Sequence, residues 1–152
     1  MSNDALYLIG AIAGRRVAID AGLVDSVIDI TSVQPVPGAA PGILGLAALR
    51  SRVLTVVDCA IALGLADSEN PVGRRQSAPL PTIVLTLDGY LYGFVLDHVD
   101  DVVSADRPAA PAGAPLGGPW TAVSANIVEV AGAALPLIEP MALLAMLTAR
   151  AA

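Results

Sequence analysis

Short apolar runs recur along the chain, each broken by glycine, proline or a charge, and that rhythm predicts β-strands in place of long helices. Leu6 to Ile12 and Arg16 to Asp20 flank Ala13-Gly14-Arg15 and predict a first hairpin. After Ala21-Gly22, the run Leu23 to Ile30 alternates imperfectly as a strand. It leads into Gln34-Pro35-Val36-Pro37-Gly38, whose prolines make an extended connector. The most informative stretch is Gly42 to Leu65. There Ile43, Leu44, Leu46 and Leu49 form one strand, Arg50-Ser51-Arg52 a turn, and the β-branched run Val53 to Val57 a buried strand. Asp58 stands where a helix N-cap belongs, and Ala60, Ile61 and Leu63 follow with helical spacing to a stop at Gly64.

Residues 66–81 are polar and proline-rich and read as a surface loop. Thr82 to Leu87 and Tyr90 to Leu96 predict a hairpin about Asp88-Gly89. Ser104 to Pro119 is rich in Pro, Ala and Gly and is expected to be irregular, the longest loop of the chain. From Ile127 to Met146 the chain is apolar, but Glu129, Pro136, Glu139 and Pro140 divide it into strand-sized and helix-sized pieces.

The pattern also repeats. Placing Gly14 on Gly89, an offset of 75, puts Val17 on Tyr92, Ile19 on Phe94, Val24 on Val99, Asp25 on Asp100, Val27 on Val102 and Ile28 on Val103. At an offset of 81, Ala133 to Glu139 lies on Arg52 to Asp58, and Met141 to Leu147 follows as Ala60 to Leu65 does. Each half is therefore hairpin, strand, loop, hairpin, helix. Two such halves, about residues 6–65 and 81–147, suit two small barrels packed on each other better than one open sheet with two long edges. We expect one domain, residues 1–152, whose halves share a core, because each barrel alone is near the size at which a core becomes marginal.

Composition narrows the function. With 152 residues the chain can bury a core without disulfide or metal. Hydrophobic residues make up 55% and the mean hydropathy is +0.71, yet no run of about 18 to 20 apolar residues escapes a proline or charge, so a soluble protein is expected. The N-terminus shows no signal-peptide pattern, which gives a cytoplasmic address. The net charge of −6 and the scarcity of aromatics disfavour nucleic acid. An apolar excess with so few charges points to surface kept for protein partners.

Catalysis finds no residues to rest on. The single histidine, His98, has no nucleophile elbow to serve, and the single cysteine, Cys59, lies in an apolar stretch as a small buried hydrophobe. One His and one Cys cannot assemble a metal set, so no metal and no cofactor are expected. The glycine-rich Gly38 to Gly45 lacks the lysine and hydroxyl of a phosphate loop and reads as a turn with close backbone packing. Asp25, Asp29, Asp100 and Asp101 read as solvated charges guarding strand edges.

One family has this order of residues. Val24 and Val27, Pro35 to Gly38, Pro41 to Gly45, the run Leu49 to Asp58, and Gly93 to Val102 together resemble the CheW-like domain of bacterial chemotaxis, over about residues 6 to 147. The resemblance implies a mainly β fold of two intertwined five-stranded SH3-like β-barrels with short helices, including a C-terminal one. It implies no catalytic activity and a role as adaptor between the cytoplasmic tip of a chemoreceptor and the regulatory domain of a CheA-type histidine kinase, with no membrane insertion of its own. The protein-binding residues it implies are Val24, Ser26, Gly45, Arg50 and Ser51. Four positions depart from the family: Ser26 stands for a glutamate, Ala48 for an asparagine, Ser51 for a glycine and Thr55 for a proline. The glutamate typically pairs with the arginine matching Arg50, and a strict period of two puts the adjacent Asp25 on the opposite strand face. A divergent scaffold for another receptor or kinase outside motility is the next reading, and a small-ligand-binding barrel the third.

Overall fold

The computed structural model describes residues 5–65 and 79–151, so most of the loop expected at 66–81 lies outside the described residues. Among the described residues, eleven strands and three α-helices follow in the order β1 Leu6–Ile12, β2 Arg15–Asp20, β3 Val24–Ile30, β4 Ile43–Leu49, β5 Arg52–Asp58, α1 Cys59–Ala62, β6 Leu80–Leu87, β7 Tyr90–Val95, β8 His98–Ser104, β9 Ala110–Pro111, α2 Trp120–Val123, β10 Asn126–Val130, β11 Ala133–Leu137 and α3 Pro140–Ala151. A 3₁₀ turn, Ala21–Leu23, joins β2 to β3.

The strands form two sheets of order β8-β1-β2-β11-β10-β9 and β3-β6-β7-β5-β4. Each sheet takes a hairpin from one half of the sequence and its remaining strands from the other, so the halves are exchanged. The repeat read from the sequence is visible in the registers. Val27 pairs with Ile83 and, one half later, Val102 with Leu8. Ala47 pairs with Leu54 and Val128 with Leu135. Even the β-bulge recurs, between Val24 and Ser26 on β3 and opposite the Ile9/Gly10 step beside β8.

Exchange explains why the hairpin strands read as unbroken apolar runs, since both of their faces are buried. On β6, Val84 points into a barrel interior with Leu54, Val56, Leu91 and Val95. Its neighbours Ile83, Leu85 and Leu87 join a central cluster with Leu8, Val17, Ile19, Phe94 and Leu143. A third cluster, with Ile9, Val128 and Leu135, fills the other barrel.

Helix α1 forms as its sequence predicts. The Asp58 carboxylate accepts from the Ile61 amide at 3.2 Å, and Gly64, with φ of +77°, closes the helix with bonds from Gly64 to Ile61 and Leu65 to Ala60. Two features differ from the sequence reading. Ser104 to Pro119 is not wholly irregular, because Ala110–Pro111 pairs with β10. The short helix α2 follows it and buries Trp120 and Val123, a pattern too brief for periodicity to reveal.

Candidate functional site

Strands β3 and β4 are the two edges of their sheet, and the sheet curls until they approach. Past the end of β3, the connector residue Gln34 closes onto β4, where Gln34 and Leu46 exchange hydrogen bonds of 2.8 and 2.9 Å. Gly45 makes that join possible. Its φ is +146°, and any Cβ there would collide with the Gln34 carbonyl oxygen. Gly45 thus acts through its backbone, and it is buried.

The rest of the β3–β4 seam is a groove. One depression of about 530 Å³ is lined by Asp25, Ser26, Val27, Ile28, Leu49, Arg50, Arg52, Val84 and Leu91. A second, of about 540 Å³, continues from Ile28 and Leu49 toward Thr31, Gln34 and Leu46. Of the residues named from sequence, Ser26 and Arg50 meet in the first depression. Val24 is half-buried and packs against the central cluster, and Ser51 sits beside the depression in the turn.

That turn has an uncommon composition. Arg50 and Ser51 have φ of 50° and 64°, the two positive values of a type I′ hairpin. The other hairpin turns of the fold, Ala13-Gly14, Asp88-Gly89 and Ala131-Gly132, all place glycine second. Here an L-residue holds the left-handed conformation, with the Ser51 hydroxyl donating to the Arg50 carbonyl oxygen. Among the described residues the Arg50 guanidinium has no ion pair and no hydrogen-bond acceptor.

Asp25 needs a correction. The strict alternation that would turn it away from the site is broken by the bulge, where Val24 pairs with Leu85 and Ser26 with Val84, leaving Asp25 as the extra residue. It lines the same depression as Arg50, with its carboxylate accepting from the Thr86 hydroxyl at 2.8 Å. Arg52 is the residue the sequence reading overlooked. Its signal was its place across the turn from Leu49, and it lines the same depression as Arg50.

The remaining candidates lie elsewhere. His98 is exposed and its Nδ1 lies 2.8 Å from Asp100 Oδ1, while Cys59 is buried in the central cluster. Among the described residues no three His, Cys, Asp or Glu side chains converge as a metal site would require, and no helix is long and apolar enough to cross a membrane. What the groove offers is apolar area flanked by two cations and by the Asp25 carboxylate that the Thr86 hydroxyl holds, which suits recognition of a protein segment.

Comparison with known proteins adds a family to this geometry. The model of the CheW-like domain matches residues 6–148. No curated protein sequence matches significantly. Among solved structures, the scaffolding protein TtCheW from Thermoanaerobacter tengcongensis superposes with a TM-score of 0.75 at 19% identity, covering 90% of this chain and 89% of that one. At that identity the likeness speaks for the fold, including its two SH3-like barrels.

Proposed function

Given that the chain belongs to the CheW-like domain family, we propose that it is a non-catalytic, cytoplasmic adaptor that couples chemoreceptor cytoplasmic tips to the regulatory domain of a CheA-type histidine kinase. The observation that carries this reading is the β3–β4 groove, where Arg50 has no partner among the described residues and Ser26 offers only a hydroxyl. A guanidinium held on a turn at the edge of an apolar depression keeps its donors for a carboxylate or carbonyl of a partner. Val24, Ser26, Gly45, Arg50 and Ser51 are the proposed binding residues. Gly45 shapes the groove, while the others supply contacts or position Arg50.

The experiment is capture of a receptor-tip fragment and a CheA-type kinase regulatory domain by the purified chain, with Arg50→Ala as the probe. Binding should weaken by about 1.5–3 kcal/mol, the range for a hydrogen bond to a charged group, with thermal stability nearly unchanged. Failure to capture either partner would remove the reading. Unfolding by Arg50→Ala without a selective binding loss would make Arg50 structural. Hydrolase, ATPase and phosphotransfer assays on the pure protein should be blank, and a turnover lost with His98→Ala would contradict that.

Ser26 favours a second reading. Its hydroxyl stands where the family carries an acid, so the site is free to prefer a different acidic partner, in a scaffold outside motility. Capture of another receptor-like or kinase-like protein in preference to the chemotaxis pair would decide for it.

A further inference from the structure

The two barrels close their seams differently, and one of them shows what the other lacks. In the barrel built on β8 and β10, residues 105–111 of the chain itself fill the seam. The Asp106 amide donates to the Glu129 carbonyl at 2.7 Å. The Asp106 carboxylate accepts from the amides of the hairpin turn, Ala131 at 3.3 Å and Gly132 at 3.0 Å. Ala110 and Pro111 then pair with Ile127 and Asn126 as a short added strand.

The repeat maps this arrangement onto the other barrel. Glu129 corresponds to Ala48, the turn Ala131-Gly132 to Arg50-Ser51, and Asp106 to Thr31. Only the Gln34–Leu46 pair of that set is made there. Neither Thr31 nor Ser32 bonds to Ala48, and among the described residues the amides of Arg50 and Ser51 meet no acceptor. In place of a plug lies the 540 Å³ depression, lined by Ile28 to Ser32 and Leu46 to Leu49, which shares Ile28 and Leu49 with the depression that holds Arg50 and Arg52.

We propose that this seam is completed in trans by an extended segment of a partner protein, with a carboxylate at the Arg50–Ser51 turn and alternating apolar residues along the edge of β4. Three observations converge on that occupant. Among the described residues no ladder joins the facing edges of β3 and β4, and only Gln34 of the connector bridges to Leu46, so main-chain donors and acceptors are left for an incoming strand. The internal plug shows that an Asp carboxylate fits the turn amides of this fold. At the open turn, two arginines replace the Ala131 and Ala133 of the closed one, adding attraction for an acid. Apolar side chains of the segment would rest on Ile28, Leu46 and Leu49. The proposal goes beyond the adaptor reading and does not depend on which proteins the chain couples.

The test is selection of displayed random decapeptides on the full-length protein, followed by synthesis of the consensus peptide and anisotropy titration. The expected consensus is Asp or Glu followed by alternating apolar residues. Arg50→Gly, which keeps a backbone suited to positive φ, should weaken the peptide roughly tenfold to a hundredfold, and Arg52→Ala should weaken it less. N-methylation of alternate peptide amides should abolish binding in one register and leave it in the other, and amide NMR shifts should cluster in residues 28–32 and 46–49. The proposal is overturned if no peptide is enriched, if binders ignore Arg50→Gly, or if they tolerate N-methylation in both registers, as a helical or side-chain-only ligand would. A failed selection alongside intact capture of receptor tip and kinase removes this inference alone. A clear consensus without such capture removes the adaptor reading instead.

Discussion

The two barrels are built to one plan and held together by different means. In the β3–β7 sheet the parallel closure between β5 and β7 runs through four successive pairs, Thr55 to Asp58 against Tyr92 to Val95. The equivalent closure between β11 and β2 has the single pair Leu137 to Ala18. Part of the cause is covalent: Pro136 stands where Thr55 stands in the other half, and it has no N–H to give. The weaker ladder is compensated by cover. Strand β9, the Asp106 cap and helix α2 all lie on that barrel, with the Arg15 guanidinium 5.1 Å from the centre of the Trp120 ring. The barrel with the fuller ladder is left barer, with Val53 on β5 63% and Tyr90 on β7 69% exposed. A barrel that holds itself by its own backbone can leave its rim to partners.

The strongest way to break this comparison is to ask whether the barrels unfold separately. Phe94, on β7, and Trp120, against Arg15 of β2, both belong to the central cluster between the sheets, and Phe94→Ala should cost about 3–5 kcal/mol. Trp120 fluorescence and far-ultraviolet circular dichroism in urea should shift together through one transition. A Trp120 midpoint that stays in place while the dichroism moves would mean two independent barrels.

A smaller effect sharpens the difference between the seams. Asp106→Ala removes the acceptor of two turn amides at an exposed site and should cost about 1–2 kcal/mol. Thr31→Ala, at the corresponding open position, should change the urea midpoint little. Equal losses would show that both seams are closed alike. Smallest is Ser51→Gly, which should stabilise by about 0.5–1 kcal/mol by relieving the left-handed serine, visible as a modest rise in Tm. No rise would mean that the turn bears no strain.

Much of the architecture was legible because exchange leaves a signature. Strands buried on both faces, such as Leu80–Leu87, appear as continuous apolar runs, and the positions shared between halves survive at offsets of 75 and 81. Asp58 and Gly64 marked both ends of α1 through local capping chemistry. What stayed hidden was set by tertiary contact. Trp120 gave no helical period, Ala110–Pro111 became a strand only because β10 offers it an edge, and the bulge that brings Asp25 to the groove leaves no mark on the alternation of β3. Arg50 was legible as a charge on a turn, but the groove around it required the curl of the sheet.

The exchange of strands also governs how the chain emerges from the ribosome. When residue 65 has been made, β3 still lacks its neighbour β6, and the β1–β2 hairpin lacks both β8 and β11. The first sheet cannot be completed until Val95 is synthesised, and the second waits for Leu137. Half of the protein must therefore wait, with its apolar faces unpaired, for the other half to arrive. Such non-local pairing makes folding slow and late, and it places the burden of solubility on the nascent first half.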